Sequence, residues 1–187
     1  MNNWLYAGVV PADPWRSAMT LPRELELVKI DGKYILASRV VREIENIASE
    51  WETITDGSLG KNDAYQIRLT VDMTKENTWR LSNGKNEYLE FYVNPGARMI
   101  VAKRNGSTGL SSFSASFSLP ALRMPVEGKE DVIELDIYVD RSSVEFFTAD
   151  GTSAMTMIVF PEEIYDSIES TSGEINGKVR SLARIWK

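Results

Sequence analysis

From about Glu24 onward, apolar and polar residues alternate with a period of two, which puts successive side chains on opposite faces of an extended chain. Tyr65, Ile67, Leu69, Val71 and Met73 alternate with Gln66, Arg68, Thr70 and Asp72, and Leu89, Phe91 and Val93 with Tyr88, Glu90 and Tyr92. Ile133, Leu135, Ile137 and Val139 are separated by Glu134, Asp136 and Tyr138, and Phe113, Ala115, Phe117 and Leu119 by serines. Each run predicts an antiparallel strand with one core face and one solvated face. Met155 to Phe160 and Val179 to Trp186 predict two more, and Asn83-Gly84, Asn105-Gly106, Asp150-Gly151 and Asn176-Gly177 supply turn chemistry between or beside them.

One stretch departs from that period. Val40, Ile44, Ile47, Ala48 and Trp51 recur at helical spacing with Ser38 as an N-terminal cap, which predicts one short helix. In the first 23 residues, Pro11, Pro14 and Pro22 interrupt Trp4, Tyr6 and Trp15, so no long regular element can run through them and the segment reads as a connector. The prediction is an all-β fold, a two-sheet antiparallel β-sandwich of the concanavalin-like or jelly-roll type with one short helix.

Composition narrows the chemistry. The 187 residues suit one domain with a short appendage, and 43% hydrophobic with 26% charged residues is ordinary for a packed globular chain. A formal net charge of -6 argues against a nucleic-acid partner, since phosphate binding needs clustered Lys and Arg. No apolar run of about 18 residues predicts a membrane span, and the N-terminus lacks the pattern of a signal peptide. With no Cys and no His, a thiolate nucleophile, a Ser-His-Asp triad and the usual zinc sites are all excluded, and acid-base chemistry would fall to carboxylates. No metal and no cofactor is expected.

Three stretches together resemble the C-terminal part of glycoside hydrolase family 32, the invertases, levanases and inulinases. Asn2-Asn3-Trp4-Leu5-Tyr6-Ala7, followed by Pro14-Trp15-Arg16-Ser17-Ala18-Met19-Thr20-Leu21-Pro22-Arg23-Glu24-Leu25, is similar to that family's exit from its five-bladed propeller. Ile137-Tyr138-Val139-Asp140-Arg141-Ser142-Ser143-Val144-Glu145-Phe146-Phe147, leading to Asp150-Gly151 and Phe160-Pro161, resembles the hairpin that marks its β-sandwich. Val179-Arg180-Ser181-Leu182 stands near the chain's end, where such enzymes also tend to finish. Residues 51 to 88 and 105 to 130 match in strand pattern alone.

The resemblance implies that residues 1–25 are the remnant of a last propeller blade and linker, and residues 26–187 a C-terminal β-sandwich domain. It also implies a parent that is a retaining fructosidase acting outside the cytoplasm, in the periplasm, at the surface or secreted. The family's catalytic carboxylates lie on the propeller, in Trp-Met-Asn-Asp-Pro-Asn-Gly, Glu-Cys and Arg-Asp-Pro motifs, none of which occurs here; Ala12-Asp13-Pro14 lacks the Arg of the third. Retaining hydrolysis needs two carboxyl groups about 5 Å apart, so the expectation is a module without catalytic residues. Its partner would be the propeller, with a fructan oligosaccharide or a second copy as further partners.

Candidate binding residues remain to be weighed. Asp140, Arg141, Ser142, Ser143, Val144, Glu145 and Phe146 contain the residue types of an active site, yet a tight turn uses the same types to bond its own backbone, and the structural role is preferred. Exposed aromatics stack against sugar rings, which singles out Trp79, with Tyr88 and Tyr92, and also Trp4 and Tyr6; core filling is the ordinary role of the first and packing against an absent blade that of the last two. Asp56, Ser58, Asn62 and Asp63 space oxygen ligands faintly like a calcium loop but fail the EF-hand rule. A free-standing glycosidase using Glu134 and Asp136, on one strand face, is the remaining rival; a carbohydrate-binding module for fructan is the nearer one.

Overall fold

A computed structural model describes residues 5–12, 18–104, 114–118 and 121–184. The first regular element is a hairpin. β1 (Arg23–Ile30) and β2 (Lys33–Val40) pair antiparallel in full register, from Arg23 opposite Val40 to Ile30 opposite Lys33. Asp31 and Gly32 close it with φ of 48° and 81°, the left-handed pair that a two-residue turn needs to match the twist of its strands. This hairpin is a sheet of its own, and residue 26, the expected start of the sandwich domain, falls inside β1.

The sandwich strands follow: β3 (Glu52–Thr53), β4 (Tyr65–Asp72), β5 (Thr78–Ser82), β6 (Tyr88–Asn94), β7 (Met99–Lys103), β8 (Leu122–Pro125), β9 (Val132–Val139), β10 (Ser143–Thr148), β11 (Ala154–Ile158), β12 (Ser167–Ser170) and β13 (Gly177–Ser181). They form one sheet in the order β11-β10-β9-β4-β13-β3 and another in the order β12-β5-β6-β7-β8, with antiparallel pairing throughout. The two-sheet antiparallel sandwich is the fold that the alternation predicts. Ile67, Leu69, Leu135, Ile137 and Phe146 from one sheet meet Leu81, Leu89, Phe91 and Ile100 from the other, all at most 1% exposed. Truncating one of these to Ala would cost about 2–5 kcal/mol in lost contacts and cavity formation.

Three local expectations are corrected. The predicted short helix forms, as a 3-10 helix over Arg42–Ile47, but without its expected cap: Val41 precedes it with no side-chain cap, and Ser38 lies in β2. Its apolar residues at 44 and 47 are eclipsed at a three-residue repeat, which serves one turn against the sheet as well as an α-helix would. In the serine-separated run, Ala115–Ser118 is a single helical turn, α1, with Phe117 fully buried, so the described part is no strand; Phe113 and Leu119 lie outside the described residues. Finally, β10 is buried on both faces, as are residues 135–139 of β9, so the supposed solvated side of these strands is covered.

Candidate functional site

What covers that side is the chain's own N-terminal part. Cross-strand register lines up Arg180, Gln66, Tyr138, Glu145 and Thr156 in one row on the outer face of the six-stranded sheet. Glu145 is 2% exposed, a position a carboxylate tolerates only when its charge and lone pairs are met. The Leu21 amide donates to Oε1 at 2.8 Å, while the Arg23 guanidinium at 2.6 Å and the Thr156 hydroxyl at 2.9 Å donate to Oε2. Arg23 also donates to Thr156 at 2.9 Å and lies 4.8 Å from the Phe147 ring centroid. One strand residue thus fastens the N-terminal segment on the sandwich. Beside it Met19, Leu21, Pro22, Ile44, Ile47 and Tyr138 line an apolar cleft of about 320 Å³.

A second fastening lies further along the chain. Arg104, 2% exposed, donates to the carbonyls of Phe117 (2.8 Å) and Ile158 (2.9 Å) and to the Tyr6 hydroxyl (3.2 Å). Its guanidinium sits 3.9 Å from the Phe117 centroid, and Tyr6 meets Phe117 edge-on at 5.3 Å. Tyr6, Val10, Phe117 and Ile158 form a small core separate from the main one. Tyr6 therefore packs on the sandwich itself and is buried there; Trp4 lies outside the described residues.

Between these anchors the hairpin shows an apolar face. Leu25 and Leu27 of β1 stand beside Tyr34 and Leu36 of β2, with Leu27 directly opposite Leu36. All four are more than half exposed, with Tyr34 at 72%. The β10–β11 turn holds the hairpin in place: the Ser38 amide donates to the Gly151 carbonyl at 2.7 Å, and a Cβ at Gly151 (φ 73°) would come within 2.5 Å of Arg39 Cγ.

The hairpin motif of the sequence divides by role. The amides of Ser142 and Ser143 both donate to Asp140 Oδ1 at 2.7 Å, and Arg141 pairs with Asp63 at 3.4 Å, as a self-bonded turn should. Val144 and Phe146 enter the core, and Glu145 faces Leu21 and Arg23. Trp79 is 4% exposed and stacked on Phe91 at 5.4 Å, because β5 points it inward with Leu81; it offers no platform to a sugar. The loop with oxygen ligands is also accounted for: Asp56 accepts from the Ser58 amide, Asp63 is bridged by Arg141 and Arg184, and no metal-holding cluster occurs among the described residues.

Glu134 and Asp136 share a face as expected, but Asp136 is tied by two bonds to Arg68, at 2.7 and 2.8 Å, and by Gln66 at 3.1 Å. Arg180 makes the matching bidentate pair with Glu45, both bonds 2.6 Å, and its hydrogen bonds hold the Glu45 carboxyl below the usual carboxylate range. The Tyr138 hydroxyl between them is pushed well up by burial and by Asp136. Asp136 and Glu145, the buried carboxylates of this face, are each matched by a guanidinium and poorly suited to act as acid and nucleophile. Ala12-Asp13-Pro14 lies largely outside the described residues.

Arg104 carried no sequence signal, since a buried arginine is rare and nothing local marks it, and Arg23 stood out only as part of the stretch resembling a propeller exit. The hairpin did carry one, Asp31-Gly32 between two alternating runs.

Comparison with known proteins fits this geometry. A family model described as glycosyl hydrolases family 32 C terminal matches residues 37–187. The whole chain is similar to a levanase of Bacillus subtilis, 29% identical over 206 residues and 30% of its length, and to an extracellular exo-inulinase of Aspergillus niger, 27% identical over 207 residues and 38% of its length. Among solved structures, an exo-inulinase of Aspergillus awamori superposes on the whole chain with a TM-score of 0.82 at 25% identity, using 40% of its own chain. A sucrose-6-phosphate hydrolase of Lactobacillus gasseri superposes on 88% of the chain with a TM-score of 0.70 at 22% identity, which shows the shared fold. The chain spans roughly a third of the length of these curated relatives.

Proposed function

Because this chain belongs to the glycosyl hydrolases family 32 C-terminal family, we propose that it is the non-catalytic β-sandwich module of a fructan- or sucrose-hydrolysing enzyme acting outside the cytoplasm. Its task is to hold the catalytic propeller that precedes it, residues 1–25 being the last of that propeller and its linker. The observation that carries this reading is the apolar hairpin face of Leu25, Leu27, Tyr34 and Leu36, exposed on an element that the Ser38–Gly151 hydrogen bond joins to the sandwich. A soluble chain gains by covering such a face, at about 2 kcal/mol for each large side chain.

The two anchors support the same reading. Tyr6 with Arg104, and Leu21 and Arg23 with Glu145, fix the segments through which a preceding domain would be connected. A connection tied at two points transmits orientation, whereas a free linker would not. The extracellular exo-inulinases among the relatives favour export of the parent enzyme.

Sedimentation velocity of the isolated chain tests this. The exposed face drives self-association that the double variant Leu27→Glu/Leu36→Glu abolishes, and the chain releases no fructose from levan, inulin or sucrose. A monomeric chain with unaltered sedimentation in the variant, or fructose release that scales with its concentration, would overturn the proposal.

A further inference from the structure

The outer face of the five-stranded sheet carries a different chemistry. β6 sends Leu89, Phe91 and Val93 into the core, so Tyr88, Glu90 and Tyr92 stand together on the outside. Tyr88 and Tyr92 are four residues apart on one strand, about 13 Å at 3.3 Å per residue. Between them, register sets Glu169, Arg80, Glu90 and Lys103 side by side across four strands. The Arg80 guanidinium lies 4.2 Å from the Tyr88 centroid and reaches Glu90 at 3.3 Å, and the Lys103 ammonium lies 4.8 Å from the Tyr92 centroid. Each tyrosine is thereby steadied by a cation on one side.

A groove of about 290 Å³ runs beside this row, lined by Thr78, Arg80, Glu90, Glu169, Ser170 and Thr171. Its size is at the small end of ligand sites, roughly 300 Å³ upward. The lining offers hydroxyls, a guanidinium and two carboxylates, which can donate to and accept from neighbouring hydroxyls of one ligand. Carboxylates here disfavour a polyanion, and the charged lining disfavours an apolar partner. A neutral polyol with apolar C–H faces satisfies both the rings and the groove.

We propose that this face binds a neutral oligosaccharide, with Tyr88 and Tyr92 as ring platforms and Arg80, Glu90 and Glu169 taking its hydroxyls. The site does not depend on the docking role of the hairpin; the reading of the parent as a fructan-cleaving enzyme enters only in the choice of probe.

Native electrophoresis of the 187-residue chain through gels containing levan, inulin or dextran tests it, with thermal melts confirming that each variant folds. Levan or inulin retards the chain, Tyr88→Ala/Tyr92→Ala loses that retardation, and Tyr34→Ala on the distant hairpin keeps it. If the double variant fails to melt cooperatively, the exposed Arg80→Ala decides, with binding about tenfold weaker. Equal retardation by dextran keeps the site and detaches it from the fructan reading. Free mobility in all three polysaccharides, or full retardation of the folded tyrosine or Arg80 variants, overturns the proposal.

Discussion

Glu145 shows how one residue can belong to two parts of a molecule at once. By sequence it is a polar position in a strand; in the fold it closes a cluster with Leu21, Arg23 and Thr156. Glu145→Ala removes the charge facing a largely buried guanidinium and frees the Leu21 amide. The expected loss is about 3 kcal/mol in denaturant unfolding, typical of breaking a buried pair by deleting one partner. Hydrogen exchange at Leu21 should rise together with that loss, and an unchanged Leu21 rate would refute the latch. Arg104→Met is the counterpart at the other anchor: its stem is replaced but two carbonyls and the Tyr6 hydroxyl lose their donor. A cost of about 2–4 kcal/mol follows from those unmet groups, measurable in the same unfolding experiment. Neither arginine could be picked out in the sequence, because most of their partners lie far along the chain, 54 and 98 residues from Arg104 and 122 and 133 residues from Arg23.

Among the elements, the strands were legible wherever one face met the core and the other met water, as in β6. The reading failed where a second layer intervened. Polar residues of β9 and β10 looked solvated because alternation reports chemistry, and a covered polar row with its partners supplied looks the same as a wet one. The short helical turn at Ala115–Ser118 mimicked a strand because alternate apolar residues over so few positions fit either period. The β1–β2 hairpin is held by contacts that substitution can probe. Gly151→Ala places a Cβ against Arg39 in a left-handed backbone, so it should cost about 1–3 kcal/mol and loosen the hairpin's amide protection. In the 3-10 helix over Arg42–Ile47, charge adds to packing through the Arg180–Glu45 pair. Arg180 lowers the folded-state pKa of Glu45 below its ordinary 4.5, so the pair's contribution is present above that value and fades as pH falls through the lower, folded one. Exchange protection of this turn should therefore decline below about pH 4.5 in the native chain, while Glu45→Gln shows no such decline.

For the molecule as a whole, the sandwich offers two outer faces with opposite characters. One is covered by residues 19–23 and the 3-10 helix, beside an apolar hairpin face; the other bears tyrosines among alternating charges. That asymmetry is what a module between a catalytic domain and a polymeric substrate would need. The docking face was implied in the sequence only through the family resemblance, whereas Trp79, weighed as a sugar contact, takes the core-filling role that was its ordinary reading. The central claim is that the hairpin face holds the catalytic domain. Its most direct test is to add this chain to the separately produced catalytic part of the proposed parent enzyme and follow that part's thermal unfolding. The account predicts a rise of several degrees with the wild-type chain at saturating concentration and none with Leu27→Glu/Leu36→Glu. An unchanged Tm with the wild-type chain, or an equal rise with the double variant, would contradict it.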